Sequence, residues 1–94
     1  MQFSFEAGLW RWRADSQWHF VSLPEAIADE ISVIPLPPKG FGSVKVRVTV
    51  GPVTWLTSIF PSESTYILPI KKQVRDANAL SAGSTAAVVL EVIV

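Results

Sequence analysis

Proton-transfer or nucleophilic chemistry needs a base or nucleophile with a partner, and this chain offers one histidine, His19, and no cysteine. His19 stands between Trp18 and Phe20 on the parity of Val21 and Leu23, and no motif supplies a partner for it. It reads as a structural or surface histidine. The hydroxyls of Ser22, Thr57 and Ser58 fall beside strand ends, where such groups satisfy backbone atoms, and Ser22 is placed to cap a helix. One histidine among scattered carboxylates has no ligand spacing such as two histidines four apart, so neither a metal nor a cofactor is expected. These residues point away from an enzyme.

Two other groups suit binding. Lys71, Lys72 and Arg75 follow Pro69 on one helical face, the best candidate for an anion or nucleic-acid contact, with Lys45 and Arg47 on a strand face. The alternative is a solvated basic surface. Trp10, Trp12, Trp18 and Trp55 are many for 94 residues. They either fill a small core or form a stacking wall for a sugar, base or aromatic ligand, rimmed by Arg11 and Arg13. Trp10 and Trp12 are the pair expected to be exposed, because their parity opposes that of Phe3 and Phe5. Trp10, Trp12, Trp55 and Tyr66 are therefore the candidate ligand-binding residues.

Composition narrows the partners. Lys plus Arg equals Asp plus Glu at eight each, so no net field draws the chain to nucleic acid or anionic lipid. Hydrophobic residues make up 49% and charged ones 17%, which excludes a disordered tail and leaves a charge-poor surface with room for apolar contacts. A small-molecule or protein partner is expected, with nucleic acid a secondary option, and the chain as a monomer or homodimer. No apolar run reaches the ~20 residues of a membrane span, and Met1–Glu6 lacks the pattern of a signal peptide. With no cysteine, a cytoplasmic location without membrane contact is expected.

The elements that must position these residues follow from periodicity. Val44, Val46, Val48 and Val50 alternate with Lys45, Arg47 and Thr49, the clearest strand. Gly51-Pro52 breaks the run, and a second strand from Val53 to Phe60 puts Val53, Trp55, Thr57 and Ile59 on one side, so a hairpin is predicted. Phe3, Phe5 and Ala7 share a face of the first strand, and Gly8 predicts a bulge that turns a barrel corner before Trp10. Ser84 to Val94 is the last strand, with Val88, Leu90, Val92 and Val94 facing one way.

One phrase occurs twice: Trp18-His19-Phe20-Val21-Ser22-Leu23-Pro24 and Thr65-Tyr66-Ile67-Leu68-Pro69 each read as a strand running into Leu-Pro and a short helix. Proline suits a first helical turn, where its missing N–H costs nothing. Helices are predicted from Pro24 to about Ile31 and from Pro69 to about Ala79, the second burying Ile70, Val74 and Ala77 and closing at Gly83. The proline-dense stretch from Ser32 to Gly42 is predicted as an ordered loop packed through Val33, Ile34, Leu36 and Phe41. The whole reads as a single domain over 1–94, mainly β: a small closed barrel of about six strands with two short helices, built from two similar halves.

The chain also resembles the domain-of-unknown-function family 1905 (DUF 1905), small bacterial domains. The resemblance rests on Trp18 to Pro24, Gly42-Ser43-Val44-Lys45-Val46, Trp55-Leu56-Thr57-Ser58-Ile59-Phe60-Pro61, and Tyr66-Ile67-Leu68-Pro69-Ile70-Lys71-Lys72-Gln73-Val74-Arg75. It implies a small β-barrel and carries no activity with it. The family's glycine-rich turn stands here as Pro61-Ser62-Glu63-Ser64, and its Gly-Asp as Gly83-Ser84. The second half is loosely similar to the barrels of AbrB-type transcription factors, which would make the chain a dimeric DNA-binding regulator acting through Lys71, Lys72 and Arg75. The first expectation is a non-enzymatic binding module, with a groove between the Trp-rich N-terminal strand and the turn from Leu68 to Arg75.

Overall fold

The computed structural model describes residues 1–35 and 42–93. Strands β1 (Gln2–Arg11), β2 (His19–Ser22), β3 (Val44–Val50), β4 (Val53–Ser62), β5 (Thr65–Pro69) and β6 (Thr85–Val92) close into an antiparallel barrel in the order β1-β2-β5-β4-β3-β6. Helix α1 (Glu25–Ser32) follows β2 and α2 (Lys72–Ala77) follows β5. This is the mainly β barrel with two short helices that the alternation predicts. No helix among the described residues is long and apolar enough to cross a membrane.

The period of two fills the interior. Val44, Val46, Val48 and Val50 from β3 join Val88, Leu90 and Val92 from β6, none more than 5% exposed. Ile59, Leu68 and Val21 meet them from the other strands, and Ile31 and Val74 enter from the helices. Removing such a side chain from water contributes about 1.5–3 kcal/mol, so the valine alternation is the main source of cohesion. At the β3–β4 turn Gly51 has φ +56 and Pro52 a fixed negative φ, the pattern of a type II′ turn that matches strand twist.

The repeated Leu-Pro phrase has a structural counterpart. β2 and β5 pair with Ser22 opposite Ile67, so Leu23 and Leu68 lie one step to either side of that pair. The pairing extends through Leu23 N–H to the Tyr66 carbonyl at 3.0 Å and Ile70 N–H to the His19 carbonyl at 2.9 Å. Exchanging β1-β2-α1-β3 with β4-β5-α2-β6 leaves the order around the barrel unchanged. The connectivity is that of two similar halves.

Several boundaries differ from expectation, each for a local reason. No bulge forms at Gly8. The β1–β6 register runs unbroken from Gln2 opposite Glu91 to Gly8 opposite Thr85, and Leu9 still bonds that side, its N–H donating to the Ser84 carbonyl, while on its other edge it stands opposite Val21 of β2. Leu9 continues the inward parity of Phe3, Phe5 and Ala7. Neither proline lies inside a helix. Pro24 keeps an extended ψ of 141° as the residue before α1, its carbonyl accepting from the N–H groups of Ile27 and Ala28. Pro69 is still in β5, opposite Phe20, and the Ile70–His19 bond holds the chain extended until Lys71. Ser22 caps nothing; its hydroxyl accepts from the Trp10 indole N–H at 3.1 Å.

Helix α2 is also shorter than predicted. It stops at Ala77, which is exposed, and Ala79 takes φ +53 in place of a glycine. Leu80 N–H donates to the Arg75 carbonyl and Ala79 N–H to that of Asp76, the paired bonds of a Schellman end. Gly83 adopts φ +97 in the turn into β6, and its N–H donates to the Leu9 carbonyl. Leu36, Phe41 and Val94 lie outside the described residues.

Candidate functional site

β4 and β5 meet over a short seam. Their ladder covers only Phe60 to Ser62, and from Val53 to Ile59 β4 pairs with β3 alone. Beyond Pro69 the chain turns into α2, so a cleft of about 410 Å³ opens at this seam. Trp55, Leu56 and Thr57 of β4 form one wall. Gln17, Trp18 and His19 form another, and Pro69, Ile70, Lys71, Lys72 and Arg75 complete it. The Ile70–His19 backbone bond fixes the last two groups against each other.

Four of the polar side chains in the cleft have defined contacts. His19 is 8% exposed, with Nδ1 2.9 Å from the Gln17 carbonyl. A carbonyl only accepts, so Nδ1 carries a proton and donates it to this bond. Lys71 Nζ lies 5.9 Å from the Trp55 ring centroid, within cation–π range. Lys72 pairs with Asp76 at 2.6 Å, both side chains largely exposed, a contact worth little by itself. Arg75 donates from Nε to the Ile70 carbonyl at 3.2 Å, which orients its guanidinium. Three cations and no carboxylate line the cleft among the described residues.

A second cleft, of about 380 Å³, adjoins the first at Trp18 and Pro69. Its wall is apolar throughout: Trp12, Trp18, Phe20, Phe60, Ile67 and Pro69. Strand register explains the row, since Trp10 stands opposite Phe20, Phe20 opposite Pro69, and Phe60 opposite Ile67. The Trp18 and Phe20 rings stack at 6.1 Å with 12° between their planes. Trp18 is 61% exposed, Leu56 63%, Trp12 55% and Phe60 40%. Apolar residues scattered singly are ordinary on a protein surface, whereas these four large ones stand exposed together along the two clefts.

The structure thus places Trp55, Lys71, Lys72 and Arg75 together in the seam cleft and Trp12 in the adjoining one. Trp10 lines neither. It is half-buried, with its ring 5.0 Å from that of Phe20 and its indole N–H on Ser22. Tyr66 packs against the core and belongs to neither cleft. Trp18 is among the four tryptophans of the sequence but not among its candidate ligand-binding residues, and Phe20, Leu56 and Phe60 are not singled out there, although Leu56 and Phe60 stand on the parity opposite Trp55 and Ile59. Large apolar residues on the outward parity of a half-buried strand were the available signal.

A search of curated proteins finds no match. A family model described as "Domain of unknown function (DUF1905)" matches residues 5–90 and reaches into all six strands and both helices. Carrying that match over nearly its whole length, the chain belongs to the DUF1905 family.

Proposed function

We propose that this protein is a non-enzymatic binding module that takes a ligand in the seam cleft beside α2. The observation that carries the reading is the convergence, on one opening of the barrel, of exposed aromatic surface with Lys71, Lys72 and Arg75. A volume of about 410 Å³ lies in the range of small-molecule sites, which are apolar pockets with a few polar groups that fix orientation. His19 lacks the companion that general acid–base or nucleophilic chemistry needs: among the described residues its ring bonds only to the Gln17 carbonyl. The basic side chains share the cleft with Trp55, Leu56 and Ile70, apolar neighbours that a DNA phosphate backbone does not call for.

A thermal-shift and native mass-spectrometry survey against nucleotides, sugars, acyl compounds and short duplex DNA tests this reading. The expected result is saturable stabilisation by a small molecule, lost in Trp55→Ala while the fold is retained. Chemical turnover of a surveyed compound, or salt-sensitive retention of duplex DNA with no small-molecule binding, would sink it.

A further inference from the structure

We infer that the seam cleft selects an organic anion with an apolar body, its anionic oxygens held by Lys71 and Arg75 and its body lying against Trp18 and Trp55. The inference rests on the binding reading above and specifies its ligand class. Charge is its first support. The chain carries eight basic and eight acidic residues, yet three of the basic ones line this cleft and no carboxylate does among the described residues. Only Lys72 is neutralised locally, by Asp76; no ion pair to Lys71 or Arg75 occurs among the described residues. Unmatched cations beside low-dielectric walls focus a positive potential into the opening.

The second support is preorganisation. Arg75 is held at Nε by the Ile70 carbonyl, so a bound anion meets a guanidinium that is already oriented. Lys71, the residue before α2, is positioned by the backbone bond between Ile70 and His19. The third is the shape of the apolar part. Trp55 and Trp18 stand on different walls of the cleft, and the second cleft continues the apolar surface past Trp18. A bare inorganic anion would leave that surface wet, and a neutral apolar compound would leave the cations unmatched.

The test uses 2-naphthoate as probe, with 2-naphthamide as its neutral isostere and inorganic phosphate as an anion without a body. Binding is measured by calorimetry and located by NMR through the Trp indole and Lys71 amide signals. Naphthoate is expected to bind about tenfold more tightly than naphthamide, and phosphate more weakly than either. Lys71→Gln, a change at an exposed side chain, should weaken naphthoate about three- to tenfold and naphthamide far less, with the melting temperature measured alongside. Equal affinity for the two isosteres, lost in Trp18→Ala, would overturn the anion inference and leave the binding module standing. Phosphate binding as tightly as naphthoate would overturn the apolar body. No binding of either isostere overturns the inference, and silence in the wider survey removes the binding module as well.

Discussion

Two of the described residues occupy backbone conformations that their side chains disfavour. Glu63 has φ +55 at the first of the two positions between the paired residues Ser62 and Thr65, and Ala79 has φ +53 at the end of α2. A left-handed residue with a Cβ costs about 1–2 kcal/mol, against about 0.5–1 kcal/mol for the extra freedom of glycine in the unfolded chain. Glu63→Gly and Ala79→Gly should therefore each stabilise the protein by about 0.5–1 kcal/mol, read from urea denaturation midpoints. Gly51 is the opposite case. A Cβ there would overlap the Asn78 side-chain amide, at a φ of +56. Gly51→Ala should cost about 2–4 kcal/mol by the same measurement, combining backbone strain with displacement of the Asn78 amide. The glycine at the hairpin was legible because Gly-Pro between two alternating runs has one interpretation. The left-handed alanine was not, since local sequence assigned that role to Gly83, and what decides it is where α2 runs out.

At the scale of elements, the helix that supplies the basic side chains has only six residues, too few to persist without tertiary support. Val74 anchors its buried side, and Asn78 ties its end to the barrel by donating to the Val50 carbonyl at 3.1 Å and the Val74 carbonyl at 2.9 Å. Asn78→Ala should cost about 1–3 kcal/mol and raise amide exchange in α2 before it does so in β3. If α2 holds Lys71 and Arg75 in place for the ligand, the same variant weakens binding although it touches nothing in the cleft. The strands were legible to within a few residues because their periodicity comes from valines that have a single buried face. Helix starts were not, because a Leu-Pro step can stand before a helix, as at Pro24, or inside a strand, as at Pro69, and the β2–β5 register chooses between them. The candidate site was legible in its cations and in Trp12 and Trp55. It was obscured where aromatic residues sit on the outward parity, for a single strand does not reveal that Phe20, Phe60 and Ile67 lie side by side.

For the whole molecule, the barrel interior has no substitute layer behind it, so cavities there are costly. Leu90 is fully buried between β1 and β3, opposite Phe3 and Val48. Leu90→Ala should lose about 2–5 kcal/mol in equilibrium unfolding, whereas Phe60→Ser on the outer face should change stability by little more than about 1 kcal/mol. Closure of the barrel also dictates the order in which it can be built. Gln2 of β1 pairs with Glu91 of β6, almost the full length of the chain away, while β3 and β4 meet across a two-residue turn. Chain entropy makes the short loop the cheaper one to close first. In stopped-flow kinetics Val48→Ala should slow refolding, and Val88→Ala should chiefly accelerate unfolding. The β1–β6 seam then acts as the last clasp to fasten and the first to release, so the lifetime of the folded protein is set far from the cleft.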